Sequence, residues 1–177
     1  MTSFDPGPLA PVTVHRDGDR WTLVFVREFP QAPALVWAAL TDPQQLAAWA
    51  PFEADRPLDR TGPATLTMID GDTRQPLAAT VRRSEPPHLL EYAWGTDELR
   101  WELTPSGTGT RLTLSHTVPD QSWLSKVAAG WHLCLAVAQR MLDGDPVTVI
   151  RGGDAMNYGW ADLDVAYRKV LDLPAAE

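Results

Sequence analysis

The chain has 177 residues, 44% of them hydrophobic, and a formal net charge of −8. That length is typical of one domain, which buries roughly 70% of the surface of its unfolded form. The negative charge excludes a general affinity for nucleic acid or anionic lipid, and no stretch approaches the roughly 18 apolar residues of a membrane span.

Cysteine content and the first residues predict the compartment. Cys134 is the only cysteine, so no internal disulfide forms, which fits a reducing environment. The start of the sequence, MTSFDPGPLAP, has neither the basic residues nor the apolar run of a signal peptide. We therefore expect a cytoplasmic protein without membrane insertion.

The first third of the chain predicts one strand and two short helices. Residues 1–19 are rich in Pro, Gly and Asp and are expected to form a loose N-terminal arm. The β-branched and aromatic run Arg20–Phe29 predicts a strand. Residues 33–40 predict a helix with Pro33 in its first turn. A second helix is expected to begin at Pro43, capped by Asp42, and to end near Trp49.

The middle of the chain alternates short strand-like segments with turn sequences, as in an antiparallel sheet. The predicted strands are 64–70, 77–85, 88–94, 98–104 and 110–118.

The last two strands have a register that follows from their turn. A turn at 106–109 places Leu103, Trp101 and Leu99 opposite Leu112, Leu114 and His116, with all six side chains on one face. A two-residue turn at 96–97 would place Tyr92 opposite Trp101 and Trp94 opposite Leu99, on the same face. Arg100, Glu102, Arg111 and Thr113 then lie on the other face.

The longest helical pattern spans 122–143 and carries one continuous apolar stripe. Gly144 ends it, and a loop at 145–156 leads to a short helix containing Trp160 and Tyr167. We expect 144–177 to be a peripheral addition. Trp160 and Tyr167 would then pack on the outside of the domain or at the contact of a homodimer.

An apolar sheet face must be covered, and the stripe of 122–143 is the only long one available. The predicted fold class is therefore α+β, with a curved antiparallel sheet wrapped around a long C-terminal helix. The predicted domain spans 20–143.

Several stretches resemble the START-like (SRPBCC) superfamily with its helix-grip fold. Within it, the sequence is similar to the bacterial group named after the activator of the 90-kDa heat-shock-protein ATPase. The similar stretches are APALVWAALTDPQQLAAW (32–49), SEPPHLLEYAW (84–94), GTGTRLTLSHT (107–117) and the Gly130-Trp131 pair.

The resemblance implies that an apolar molecule, such as a lipid or a polyketide-like compound, binds between the sheet and the long helix. Two alternatives stay open. One is a chaperone-regulating interaction protein, although eukaryotic chaperone activators carry a further N-terminal domain. The other is a cyclase- or hydrolase-type enzyme that uses the same cavity.

The expected ligand-binding residues share the interior between sheet and helix: Tyr92, Trp94, Trp101, His116, Trp131 and Leu135. The chain has eight tryptophans, which either fill a core or line a pocket. His116 is the expected polar contact of a ligand or a proton carrier. The alternative is a histidine bonded to backbone or water at the sheet's rim.

No catalytic residue, metal site or cofactor is predicted. His132 and Cys134 are two positions apart on a helix, so they do not face each other. No phosphate-binding loop or nucleophile motif is present. Glu91 and Glu102 fall on the wet face near Arg100 and Arg111, where a solvated charge ladder is the expected arrangement.

Overall fold

A computed structural model describes residues 4–174, and its main feature is a curved antiparallel sheet of eight strands. The strands lie in the order β1-β2-β8-β7-β6-β5-β4-β3. Their bounds are β1 Val12–Asp17, β2 Arg20–Phe29, β3 Phe52–Ala54, β4 Gly62–Asp70, β5 Thr73–Glu85, β6 Leu89–Trp94, β7 Asp97–Ser106 and β8 Gly109–Val118.

Four α-helices accompany the sheet among the described residues: α1 Pro33–Thr41, α2 Pro43–Trp49, α3 Leu124–Leu142 and α4 Trp160–Val170. The predicted cap of α2 is present, because the Asp42 carboxylate accepts a hydrogen bond from the backbone N–H of Gln44 at 2.9 Å. A 3₁₀ turn, Gln121–Trp123, leads from β8 into α3. The long helix α3 packs over the apolar face of the sheet, which confirms the predicted α+β helix-grip architecture.

The pairing of β7 with β8 follows the predicted register. Trp101 lies opposite Leu114, and Leu99 lies opposite His116. All four side chains are at most 2% exposed, whereas the intervening Arg100 is half-buried on the other face. Strict alternation thus separates the core face from the charged face, as side-chain direction in a strand requires.

The pairing of β6 with β7 differs from the predicted register by two residues. Tyr92 lies opposite Leu99 rather than Trp101, and Trp94 lies opposite Asp97. The two-residue turn is formed by residues 95–96, and Gly95 adopts the left-handed φ of +59° that such hairpin turns favour. A shift of two preserves the face of every side chain, so Tyr92 and Trp94 still point toward the core side.

The prediction of a loose arm over 1–19 is wrong for residues 12–17. These residues form the edge strand β1, which pairs with β2 from Val12 opposite Phe25 to Asp17 opposite Arg20. Val12 and Val14 are half-buried and alternate with exposed residues, a pattern too short to stand out beside the surrounding turn sequences. Ahead of the strand, the backbone N–H of Ala10 donates to the Tyr167 hydroxyl at 2.9 Å.

The prediction that Tyr167 packs on the outside is also wrong. Tyr167 has no exposed surface, and Leu163 of the same helix and Ile150 of the preceding loop are buried as well. Helix α4 therefore packs on α3 and extends the core next to Phe25 of β2. Trp160, at the start of α4, is half-buried.

Arg151 joins the C-terminal loop to the end of α2. Its guanidinium donates to the carbonyl oxygens of Ala50 at 2.9 Å and Ala47 at 3.0 Å, which the end of a helix leaves unpaired. The C-terminal segment thus helps to hold the corner between α2 and β3.

Residues 4–174 contain neither a membrane-spanning helix nor a metal-binding cluster. No helix there combines the length and apolarity needed to cross a membrane. No group of three or more His, Cys, Asp or Glu side chains is arranged to hold a metal ion.

Candidate ligand pocket between the sheet and the long helix

Three tryptophans from different elements meet at the centre of the space between the sheet and α3. The ring centroids of Trp101 and Trp131 are 5.2 Å apart, and those of Trp49 and Trp101 are 6.3 Å apart, both edge to face. This geometry is favoured between aromatic rings. Each of the three is at most 3% exposed. The centre of the predicted cavity is therefore filled by interlocking rings.

Three of the predicted ligand-binding residues belong to this filled region. Tyr92, Trp101 and Leu135 are 2%, 1% and 1% exposed, and none lines the pocket described below. The Trp101 indole N–H donates to the Tyr92 hydroxyl at 3.2 Å, so their polar atoms satisfy each other. Burial raises the pKa of Tyr92 far above its ordinary value, which keeps the hydroxyl protonated.

The other three predicted residues, Trp94, His116 and Trp131, come together around an open pocket of about 150 Å³. The pocket lies beside the first half of α3, and its wall is almost entirely apolar. Its complete lining is Pro51, Trp94, His116, Val127, Gly130, Trp131 and Cys134.

Gly130 keeps part of this space empty. A Cβ atom added to Gly130 would meet no other atom within 4 Å, so the missing side chain leaves room rather than relieving a clash. Trp94, another residue of the wall, is supported by Phe52, whose ring centroid lies 5.1 Å from that of Trp94. Glycine inside a helix lowers its stability by roughly 1 kcal/mol relative to alanine. The pocket thus coincides with a locally unfavourable helix residue.

His116 is buried in a side-chain hydrogen-bond chain. The indole N–H of Trp131 donates to Nδ1 of His116 at 2.9 Å, so Nδ1 carries no proton. Nε2 must then hold the ring proton, which it donates to the Asp97 carboxylate at 2.8 Å. Both nitrogens are occupied, and the ring is 2% exposed. His116 therefore forms part of the wall and has no free lone pair for a ligand or a proton transfer.

The remaining polar groups of the wall, Nε1 of Trp94 and the Cys134 thiol, offer a ligand little polar or reactive chemistry. Nε1 of Trp94 has no hydrogen-bond partner within residues 4–174, but it is shielded from solvent and presents no polar surface to the pocket. Burial raises the pKa of the Cys134 thiol to about 12, so the sulfur stays protonated and is a poor nucleophile. The pocket is suited to holding an apolar group and lacks an acid–base pair.

The carboxylates on the outer face form the predicted charge ladder. The Arg100 guanidinium donates hydrogen bonds to the carboxylates of both Glu91 and Glu102, and its distance to Glu102 is 2.6 Å. Their side chains are 24% and 42% exposed, and they lie on the face opposite the pocket.

Residues 31–142 match the family model described as activator of Hsp90 ATPase homolog 1-like protein. The chain belongs to this family. The match covers the two short helices, the sheet from β3 to β8 and all of α3, and it agrees with the START-like (SRPBCC) resemblance seen in the sequence. No curated protein sequence matches the chain significantly.

Several solved structures have the same fold as this chain. The crystal structure of CalU16 from Micromonospora echinospora is 21% identical, covers 91% of this chain and 96% of its own, and has a TM-score of 0.68. EF2215 from Enterococcus faecalis, a conserved protein of unknown function, is 17% identical, with coverages of 93% and 92% and a TM-score of 0.69. DynU16, from the dynemicin biosynthetic locus, is 24% identical over 72% of this chain and 50% of its own, with a TM-score of 0.61.

Sequence reasoning missed several parts of the site. Trp49, which the pattern gave only as the end of a helix, is buried against Trp101, and the half-buried Pro51 after it lines the pocket. Asp97 was assigned to a turn, yet it is the partner of His116. Gly130 could have been noticed in the sequence, because the Gly130-Trp131 pair is one of the family-like stretches. A glycine in a helix does not by itself indicate a pocket.

Proposed function

We propose that this protein binds a small apolar molecule, or the ring-sized end of one, in the pocket formed by Trp94, His116 and Trp131. The supporting observation is the apolar opening of about 150 Å³ beside Gly130, at the junction of sheet and helix. An enclosed apolar cavity of about that volume, engineered in another protein, binds benzene, so the volume is sufficient for one ring.

The size of the pocket narrows the class of ligand. Sites that enclose a drug-sized molecule usually measure about 300–1,000 Å³. A whole sterol or lipid is too large for this pocket, whereas one aromatic or alicyclic ring fits. The larger part of a polyketide-like molecule would lie outside the opening. A cytoplasmic location, consistent with the single buried thiol, is part of the proposal.

Neither alternative gains support from a specific contact. A cyclase- or hydrolase-type reaction in this pocket would need a free base, and both nitrogens of His116 are engaged. A chaperone-regulating role rests on the family description alone. Binding of a small molecule is the function that the geometry of the pocket favours.

Gly130 offers a direct test. Gly130→Leu should fill the opening, while Gly130→Ala makes the same backbone change and adds only one methyl group. Toluene, titrated into ¹⁵N-labelled protein, should shift the indole N–H resonances of Trp94 and Trp131 saturably. We expect Gly130→Ala to retain this binding and Gly130→Leu to weaken it at least about tenfold, because the leucine occupies the ligand's space. Equal binding by both variants, or no saturable shift in the wild type, would refute the proposal.

A further inference from the structure

A second groove of about 280 Å³ lies beside the pocket at the start of α3. Val127 lines both spaces, and the hydrogen bond of 2.8 Å between His116 and Asp97 joins a residue of the pocket to a residue of the groove. The groove also contains Val118, Pro119 and the exposed ring of Trp123. A molecule seated in the pocket could therefore extend over Val127 into the groove.

Asp97 gives the groove a negative charge without a matching cation. Its carboxylate accepts a hydrogen bond from Nε2 of His116, which is neutral in the tautomer assigned above, and its next contact is the Thr96 hydroxyl, which donates at 3.5 Å. Among residues 4–174, no lysine or arginine lies within salt-bridge distance of Asp97. The nearby Arg20 donates instead to the Thr96 carbonyl at 2.6 Å, so its guanidinium is directed to the backbone. The Asp97 side chain is 26% exposed.

Trp123 adds an aromatic surface to this carboxylate. The residue is 53% exposed, which is unusual for a side chain with so large an apolar area. The ammonium of Lys126 already lies over its ring, 5.0 Å from the centroid, so the indole face is accessible to a cation. A carboxylate beside an accessible indole is the combination that recognises an organic ammonium group.

We propose that the groove is a second subsite, which binds the ammonium group of an arylalkylamine whose ring occupies the pocket. This inference rests on the proposed function. It assigns both the Asp97 carboxylate and the face of the Trp123 indole to the ammonium. The ligand class is thereby narrowed from a ring-sized apolar group to an amine with an aromatic or alicyclic ring a few bonds away.

The test compares 2-phenylethylamine with n-propylbenzene, which has nearly the same shape and no charge. Asp97→Asn keeps an oxygen acceptor for His116 and removes the negative charge. We expect it to weaken binding of the amine about three- to tenfold and to leave binding of propylbenzene unchanged. Glu98→Gln is the matched control, because it removes the same charge from the next residue, whose side chain lies on the outer face.

The outcomes separate the two proposals. If propylbenzene does not bind the wild type, the pocket assignment itself fails. If propylbenzene binds, two results would refute the ammonium subsite. One is an unchanged affinity of Asp97→Asn for the amine, and the other is an equal loss of that affinity in Glu98→Gln. Trp123→Ala provides an independent variant should Asp97→Asn fold poorly, since its side chain is exposed. Trp123→Ala should weaken binding of 2-phenylethylamine, and an unchanged affinity of this variant for the amine would also overturn the inference.

Discussion

The indole N–H of Trp131 on α3 donates to Nδ1 of His116 on β8 at 2.9 Å, within the apolar interior. Because Nε2 of His116 donates a hydrogen bond to Asp97 at the start of β7, one chain of hydrogen bonds connects the helix to two strands. All three residues lie at the pocket or at the groove beside it. The same contacts therefore stabilise the fold and shape the proposed binding site.

Trp131→Phe should reveal the contribution of this bond. Phenylalanine keeps most of the ring but removes the N–H, which leaves Nδ1 of the buried His116 without its donor. We expect the free energy of unfolding to fall by about 1–3 kcal/mol. Urea titration measures this loss of stability. Trp160→Phe, at the half-buried start of α4, is the matched control. Equal losses in the two variants would show that the hydrogen bond contributes nothing specific.

Leu135→Ala tests the assignment of the core-facing side of α3. Leu135 is 1% exposed, and truncation should lower the free energy of unfolding by about 2–5 kcal/mol through lost burial and the cavity left behind. Leu35→Ala makes the same chemical change at a position that is 55% exposed, where the loss should stay within about 0.5 kcal/mol. A loss below about 1 kcal/mol at Leu135, measured in urea, would contradict the packing.

The sheet could be predicted from sequence because its alternation is strong and one face carries charges. A slip of one residue would have placed Arg100 among the tryptophans, so the face of each residue in β7 and β8 was well specified. The β6–β7 register was wrong by two residues because both versions keep Tyr92 and Trp94 inward. They differ in the turn: residues 95–96 place Gly95, with a φ of +59°, at its first central position, whereas the predicted turn at 96–97 left this glycine in the strand.

The content of the interior could not be predicted in the same way. Periodicity assigns Trp101 and Trp131 to one space, but whether rings interlock or leave a void depends on their orientations and on a third ring, that of Trp49. The role of Tyr167 was missed for a related reason. Its burial depends on contacts with Phe25 of β2 and with His132 of α3, whose Nδ1 accepts a hydrogen bond from the Tyr167 hydroxyl, and the sequence pattern of α4 does not reveal these partners.

His132 predicts how stability depends on pH. The Pro6 carbonyl can only accept, so Nε2 of His132 donates to it at 2.9 Å. In the neutral ring Nδ1 then accepts a hydrogen bond of 2.6 Å from the Tyr167 hydroxyl, which itself accepts one from the N–H of Ala10. Burial lowers the pKa of His132 below 6.5, the Pro6 carbonyl opposes this, and the Arg27 charge adds to it. A protonated His132 would therefore face the Tyr167 hydroxyl and the cation of Arg27, with an unfavourable second N–H.

The direction of this pH dependence follows from the linkage between protonation and folding. The unfolded chain takes up a proton on His132 as the pH falls through about 6.5, while the folded protein takes it up only at lower pH. Stability should therefore be highest above about pH 6.5 and should fall through this residue as the pH is lowered from there toward 5. Urea titrations across that range should show a shallower dependence for His132→Gln than for the wild type. His15→Gln, on the exposed edge strand, is the control, and equal slopes in the two variants would contradict the assignment.

Tyr167 and the C-terminal helix yield the last prediction. Tyr167 is fully buried, lies 6.2 Å from the Phe25 ring and accepts the hydrogen bond from Ala10. Tyr167→Ala should therefore lower the free energy of unfolding by about 3–5 kcal/mol, whereas Val165→Ala, on the same helix and 64% exposed, should change it by less than about 0.5 kcal/mol.

Removing 144–177 altogether should have a larger effect than Tyr167→Ala. It strips the cover from His132 and from the adjoining apolar side of α3, and it deletes the Arg151 guanidinium that closes α2. We expect the truncated protein to bind a hydrophobic dye and to lose its cooperative urea transition, because apolar surface of the core becomes exposed. A truncated protein with the wild-type transition midpoint would mean that α4 is peripheral after all, and that the burial of Tyr167 contributes little to the stability of the domain.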